Sequence, residues 1–409
     1  MPARETTDVL ISGGGVAGLT AAAAFGAAGF RTICVDPLAP VTDGADASAD
    51  LRTTAFLQPA RRLLDQAGIW PRLAPHAAAL RIMRIVDAGG DEPTPRIVRD
   101  FAASEISDDP FGWNLPNWLL RREMVARLAE LPDVSFRPGI GTAAVLTRDA
   151  AALVTLTDGS RISARLLVAA DGRASPVRQA LGIPVHTTRY GQKALAFAVT
   201  HPAPHDNIST EVHRLGGPFT LVPLPDRDGQ PCSAVVWMDR GPDILRRAAL
   251  PVPAFEAEMN ARSAGVAGRL SLVTRRMVWP IISQIAERFH AERTALLAEA
   301  AHVVPPIGAQ GLNMSLADLA CLVDLALAAP ADIGGSAMLA AYHRRRWPEV
   351  RARVAGIDLL NRASMLVARP LRDLRAGALD ALYAMAPVRH TLMRAGLGLG
   401  AASADRHRA

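Results

Sequence analysis

At 409 residues, half of them hydrophobic and 21% charged, the chain is too apolar to stay disordered and long enough for two intertwined domains around one ligand. The formal charge is +6, yet residues 341–409 hold 13 Arg against 5 acidic residues, a surplus of +8 that leaves about −2 for everything before them. That basic end comes without a nucleic-acid motif or interleaved aromatics, so nucleic acid is not the expected partner; an anionic membrane surface, an acidic protein or a solvated helical face remain.

Three cysteines, Cys34, Cys232 and Cys321, are odd in number and lack metal-type spacing, so neither a disulfide framework nor a zinc site is expected and all three read as small core hydrophobes. No window reaches the roughly 18 uninterrupted apolar residues of a membrane span, and residues 1–7 run into a strand without a leader pattern, so a cytosolic location is expected.

In chain order, Asp8-Val-Leu-Ile-Ser12, a glycine turn, an Ala-rich helix to about Ala28 and Arg31-Thr-Ile-Cys-Val35 predict a βαβ unit. A Pro/Asp/Gly-rich loop follows at 37–50, then helical periodicity over 52–68 that Gly68 stops. Residues 80–105 alternate like strands opening a second sheet, 119–131 reads as a helix, and 143–148 and 151–157 as strands, with Thr157-Asp-Gly-Ser160 turning into the next. Leu166-Leu-Val-Ala-Ala170 reads as a buried parallel strand, and 185–280 as a strand-rich, turn-punctuated antiparallel layer. Strand 294–298, a Pro/Gly loop at 305–311 and helices from 312 onward complete the chain. The expected fold is α/β: a Rossmann-like dinucleotide-binding domain (1–79, 106–182 and 283–350) interleaved with a mainly antiparallel substrate domain (80–105 and 183–282), with a C-terminal helical segment at 351–409.

Three stretches carry chemistry. Gly13-Gly-Gly15-Val16-Ala17-Gly18 satisfies GxGxxG between a strand and a helix, with Asp36 at the end of the second strand. Gly13 permits the tight turn, Gly15 lets backbone approach a pyrophosphate, Gly18 allows close helix–strand packing, and Asp36 would accept a hydrogen bond from a ribose; the alternative is a merely structural glycine turn. The second stretch is Asp171-Gly172-Arg-Ala-Ser175-Pro-Val-Arg178, which on its own could be a turn before a capped helix. The third runs from Ala298-Glu299-Ala300-Ala301-His302 through Pro305-Pro306-Ile-Gly308-Ala-Gln310-Gly311-Leu312-Asn313.

Together these stretches resemble the FAD-dependent aromatic hydroxylases, the class A flavoprotein monooxygenases, and most nearly the hydroxylases of ubiquinone biosynthesis. The second is similar to their DGxxSxxR motif and the third to their GDAAHxxxPxxGQGLN segment. The resemblance implies a GR2-type FAD-binding domain. It places Asp171 beside the pyrophosphate region, Glu299 at the ribityl chain, and Pro306, Gly308, Gln310, Gly311, Leu312 and Asn313 against the flavin ring, whose negative charge on reduction a helix N-terminus would stabilise. Asp50-Leu-Arg52 and Arg121 resemble the family's arginine-bearing segments beside the flavin; either could equally be a solvated arginine. Tyr190-Gly-Gln192, Pro223-Leu224 and Val235-Val-Trp237 are similar to its packing landmarks. Three departures narrow the room for the cofactor: Glu299 for Asp, Ala298 for Gly, and Gly308-Ala309 where Ala-Gly is common.

The activity the resemblance implies is hydroxylation of a polyprenylated phenol or quinol, with NAD(P)H and O₂, through a flavin C4a-hydroperoxide. Chemistry resides on the cofactor, so no catalytic base is named. Such a substrate brings the protein to a membrane, and the basic C-terminal helices are expected to meet the inner membrane face or a quinone-biosynthesis complex. Two rivals stand beside this reading. One is another flavoenzyme on the scaffold, such as a prenyl-lipid reductase or a halogenase, although the halogenase WxWxIP pattern is absent at Trp279-Pro-Ile281. The other is a non-catalytic assembly subunit.

His201 and His205 have Pro202 and Pro204 about them, which denies them the helix that would aim both at one metal. His302 reads as a structural hydrogen-bonding residue. Gly396-Leu-Gly-Leu-Gly400 reads as a flexible tail element.

Overall fold

The computed structural model describes residues 5–365 apart from 91 and 215, together with 377 and 380–398. The apolar run after residue 7 forms the strand Glu5–Ser12, whose Val9, Leu10 and Ile11 are fully buried, as a strand covered on both faces requires. It lies parallel to Thr32–Asp36 on one side and to Arg161–Ala169 on the other; Val134–Pro138 and Thr294–Leu296 extend the parallel core outward. The first half of Arg161–Ala169 also pairs antiparallel with Ala151–Leu156, and that strand with Thr142–Arg148. Helix Val16–Ala27 returns the chain from the first strand to the second, its Ala21 to Ala24 buried.

The second sheet runs Ile97–Ala102, Ile82–Asp87, Ile208–His213, Phe219–Arg227, Gln230–Arg240, Val185–Thr200, Met277–Ala286 and His302–Val303. It is antiparallel except between Ile82–Asp87 and Ile208–His213. One face is covered by helices Gly241–Ala249 and Val252–Ser263, which close over Leu195, Phe197 and Trp237 with Ile244 and Phe255 turned inward. Those helices interrupt the stretch 185–280, which reads as strand-rich and turn-punctuated in the sequence. Pro242 and Pro253 sit in their first turns, where a missing N–H costs nothing, so residues that read as turn punctuation are helix starts. The opposite face presents Ala194, Met238 and Ile281, with Trp279 partly exposed beside them.

A small third sheet joins Thr53–Leu57, Gly112–Pro116 and Ala78–Leu80. The single helix expected over 52–68 is therefore a strand followed by helix Gln58–Gln66, with Pro59 in its first turn, where Pro costs far less than in a helix interior. Gly68 does stop it, at φ +70. Helix Gln310–Ala328 is long and apolar enough to cross a membrane, but half of that stretch is buried within the protein and its Asp318 is completely enclosed; it is a core helix. Helix Ser336–Ser364 packs against it, and helix Ala386–Leu397 follows. The glycine-rich end, expected as a tail element, is helical through Leu397, which is buried; its Gly400, like 366–376 and 399–409 of the C-terminal segment, lies outside the described residues. Cys34 and Cys232 are buried and Cys321 is half-buried; all three are free thiols.

Candidate cofactor and active site

The three stretches singled out in the sequence emerge side by side from adjacent parallel strands. Past the strand ends the backbone stays zipped: Gly13 N–H donates to Val35 O, Ala170 N–H to Ser12 O and Leu297 N–H to Ala169 O, each at 2.8 Å. The glycine turn, the Asp171 turn and the Glu299 loop thus occupy one carboxyl edge, with Asp36 ending the next strand over. This is where the strand order reverses and open α/β sheets receive ligands.

The glycines divide the labour. A Cβ on Gly13, at φ +112, would lie 2.3 Å from Ala170 O, and one on Gly18 would lie 1.8 Å from Gly13 O, so these two serve internal packing. At Gly15 nothing stands within 4 Å of the added atom; that opening is room for a ligand. Gly15 is also the N-cap of helix Val16–Ala27 and supplies no side-chain cap, leaving the first-turn N–H groups of Val16 and Ala17 available to phosphate oxygens. Asp36 accepts from Gly14 N–H at 2.5 Å and from Leu38 N–H at 2.8 Å. Two oxygens offer about four acceptor positions, so capacity for a ribose hydroxyl remains.

At the second stretch, Asp171 Oδ2 accepts from Val177 N–H at 3.1 Å, while its Oδ1 is buried without a partner among the described residues. Burial raises this carboxyl above the ordinary range. An orphaned buried acceptor costs about 1–3 kcal/mol, and a ligand hydroxyl at this edge would satisfy it. Ser175 caps helix Pro176–Ala180 by accepting from Arg178 N–H at 3.0 Å. The Arg178 guanidinium, itself buried, donates to Ala300 O and Arg173 O, both at 2.8 Å. The last residue of the DGxxSxxR pattern therefore ties the second stretch to the third.

At the third stretch Glu299 is exposed; the Arg52 guanidinium is held protonated chiefly by its hydrogen bonds to Asp50, with a smaller contribution from the charge of Glu299. Arg52 forks onto Asp50 through Nε at 2.8 Å and Nη2 at 2.7 Å, and its guanidinium carbon stands 5.6 Å from the centroid of Trp279 on the open face of the second sheet. Asp50, almost fully enclosed, also accepts from Asn117 at 3.0 Å and from Arg121 at 3.5 Å. Burial pushes the Asp50 carboxyl up, but hydrogen bonds and charge from Arg52, with Asn117 and Arg121, more than reverse this and hold it below the usual carboxylate range. Asp50 is a hub, gathering Arg52, Asn117 and Arg121; in the sequence its one signal is an acid two residues before the arginine.

Pro306 is exposed and Gly308 and Ala309 both sit in the left-handed region, at φ +62 and +55. Ala309 precedes helix Gln310–Ala328 and gives no side-chain cap, and a Cβ on Gly311 would meet only Val304 at 3.8 Å. A second uncapped helix start with open space above it results, and the two helices pack on each other. Leu312, in the same turn, is partly buried against the main core. Two residues expected at the cofactor direct their side chains elsewhere. Asn313 accepts from Leu57 N–H at 2.8 Å and donates to Ala55 O and Ala309 O at 2.7 Å. Gln310 donates to Gly308 O and Gly396 O, both at 2.9 Å, and accepts from Arg353 at 3.1 Å. Both brace the loop. His302 Nε2 meets Asp318 at 2.7 Å, and Asp318 accepts from Arg346 at 2.6 Å, all three buried in the core, in keeping with a structural histidine.

Two uncapped helix starts, a strand-end carboxylate, an orphaned buried acceptor and open space over Gly15 and Gly311 fit a flavin dinucleotide, and the fold with this edge defines a dinucleotide-binding protein, with Trp279 of the second sheet against Arg52 beside it. A model of the FAD-binding-domain family matches residues 6–356. The chain is 33% identical over 401 residues to the ubiquinone hydroxylase UbiL of Rhodospirillum rubrum, covering 97% of this chain and 90% of the relative. It is 26% identical to the 3-demethoxyubiquinol 3-hydroxylase of Escherichia coli, over 97% and 99%. The fold is shared with the p-nitrophenol 4-monooxygenase PnpA of Pseudomonas putida (TM-score 0.77, 19% identity, 97% and 99% covered) and with PqsL of Pseudomonas aeruginosa (0.74, 23%, 92% and 100%). The chain belongs to the FAD-binding-domain family of flavin hydroxylases: it is an FAD-dependent monooxygenase.

Proposed function

We propose that this protein hydroxylates the aromatic ring of a prenylated phenol or quinol on the route to ubiquinone, taking electrons from NAD(P)H and oxygen from O₂. The observation that carries the reading is the convergence of Gly15, Asp171, Glu299 and the start of helix Gln310–Ala328 on one strand edge facing the Trp279 side of the second sheet. FAD, when bound, supplies the electron transfer and oxygen activation that side chains lack. The protein's contribution is to bind, orient and keep water out. The N–H groups of Val16 and Ala17 would hold the pyrophosphate and Asp36 the ribose, and the Asp50–Arg52–Trp279 stack would wall the ring site. A cavity of about 480 Å³ beside the Asp171 turn, lined in part by Arg173, Arg189, Lys193 and Gln284, offers three cations to the phosphates of the nicotinamide nucleotide.

A prenylated substrate resides in a membrane, so the reading includes a cytoplasmic protein that meets the inner membrane face or a quinone-biosynthesis complex through its basic C-terminal helices. Lipid analysis of a deletion strain tests the pathway: a quinone precursor one hydroxyl short should accumulate, and normal quinone levels would remove the assignment. The purified protein should be yellow and bleached by NAD(P)H; a colourless protein would favour the assembly-subunit reading.

A further inference from the structure

Helix Ala386–Leu397 and the turn before it are built inside out. A helix on the surface of a protein in water turns its apolar stripe to the core and its polar side to solvent. Here the polar groups face inward. Arg389 donates twice to Glu105, at 2.7 and 3.0 Å, His390 reaches the same carboxylate at 3.1 Å, and Tyr383 packs edge-on against Phe101 with centroids 5.4 Å apart.

The apolar residues face out. Leu382, Met385, Val388 and Leu392 are 41%, 47%, 39% and 53% exposed; Val388 and Leu392, four residues apart, share one side of the helix, and Met385 at its N-cap and Leu382 before it continue the exposed apolar run. No acidic residue occurs from Ala381 to Gly398, and Arg394 is the one charged residue on the exposed side. The far end is pinned: Leu397 is buried, and Gly396 O accepts from Gln310, which Arg353 holds in turn. Six residues beyond Arg353, roughly 9 Å along its helix, Leu359 and Leu360 are 69% and 57% exposed. Packing against the body therefore fixes this face outward.

We propose that this face, with Leu382, Met385, Val388 and Leu392 inserted and Arg394 at the rim, lies in the interface of an anionic lipid bilayer. The inference rests on the membrane contact of the preceding reading and names its face. Charge complementarity selects this occupant: residues 341–409 carry a surplus of +8 against about −2 for the remainder, which draws this end toward anionic headgroups. Area argues against a second copy of the chain. Four half-exposed aliphatic side chains offer far less than the ~800 Å² per partner of a stable protein interface, but they suit shallow insertion of an amphipathic helix.

The test is co-sedimentation of the full-length flavoprotein with phosphatidylcholine vesicles, with and without 30 mol% phosphatidylglycerol. The wild type should bind the anionic vesicles and lose binding without phosphatidylglycerol. The variant L382Q/M385Q/V388Q/L392Q should bind at least about tenfold more weakly, with its flavin absorbance unchanged. The pair V388S/L392S keeps the test readable if the fourfold variant does not fold, and should lose at least about threefold. Equal vesicle binding by wild type and variants, no binding by the wild type, or a wild-type dimer that the variants dissociate would each overturn the proposal. Hydroxylation of a short-chain, water-soluble phenol is measured alongside. If it fails while vesicle binding holds, the functional reading falls and the membrane face stands; the reverse outcome removes the face alone.

Discussion

Replacing each glycine of the first motif by alanine separates room for the cofactor from room for the backbone. Gly15 has φ −70, which alanine adopts freely, and open space around the added atom. Alanine is a poorer N-cap than glycine by about 0.5–1 kcal/mol, and the lost unfolded-state freedom of glycine returns about 0.4–1 kcal/mol. Apo-protein stability in Gly15→Ala should therefore stay within about 1 kcal/mol of wild type. FAD affinity should fall about 10- to 100-fold, or about 1.4–2.8 kcal/mol, because the methyl group stands where the pyrophosphate must approach. Gly18→Ala should do the opposite damage: its Cβ at 1.8 Å from Gly13 O forces helix and strand apart, costing about 3 kcal/mol or more. Gly13→Ala adds left-handed strain to a 2.3 Å clash and should be as severe. Urea unfolding of apo protein and FAD titration by flavin fluorescence quenching measure the two quantities independently. A Gly15→Ala protein that binds FAD like wild type would refute the placement of the phosphates, and a stable Gly18→Ala protein would refute the packing argument.

Ala298 and Ala309 both hold φ +55, a conformation that costs a side chain about 1–2 kcal/mol; Ala309→Gly, after subtracting about 0.4–1 kcal/mol for added unfolded-state freedom, should stabilise the apo protein by about 0.5–1 kcal/mol in urea unfolding, and Ala298→Gly likewise, whereas a loss in either would show that the loop is not strained there. Asp50→Asn should cost about 2 kcal/mol near neutral pH by weakening the enclosed fork to Arg52. Because the folded Asp50 carboxyl lies below its unfolded value, its contribution is complete above about pH 4 and is lost as pH falls through the folded value; the stability gap between wild type and Asp50→Asn should close in that acid window, and a gap unchanged down to pH 2 would remove the ion-pair explanation.

Elements whose local pattern matches their final environment were legible in the chain. The buried strands Glu5–Ser12 and Arg161–Ala169 read as continuous apolar runs because both faces are covered, and the turn at Thr157–Ser160 was plain from its Asp-Gly pair. Failures arise at such residues. Proline and glycine at 241–242 and 251–253 punctuate a strand pattern and open a helix with the same residues, and only the next turn's partners decide between them, while Pro59 starts a helix at Gln58 where helical periodicity from residue 52 hides the strand Thr53–Leu57. At the site, backbone requirements were readable and side-chain destinations were not. Gln310 and Asn313 stand where the family motif has them, yet their amides meet Arg353, Gly396 and strand Thr53–Leu57, contacts that span up to 258 positions. Asp50 was passed over because its importance lies in gathering Asn117 and Arg121 from a distant helix.

Those same braces account for the departures in the third motif. A loop with alanine in two left-handed positions and a longer acid would be expected to relax, since each strained residue is worth about 1 kcal/mol or more in an unconstrained chain. This loop is held at three points from outside: Arg178 grips Ala300 O, Asn313 grips Ala309 O and strand Thr53–Leu57, and Gln310 is clasped between Arg353 and Gly396. Strained conformations persist where the surroundings over-determine them, so the backbone geometry that glycine would make easy is imposed here by side chains. The added methylene of Glu299 then extends an exposed carboxylate within electrostatic range of Arg52, and the acid works from a slightly longer reach on a loop that cannot retreat.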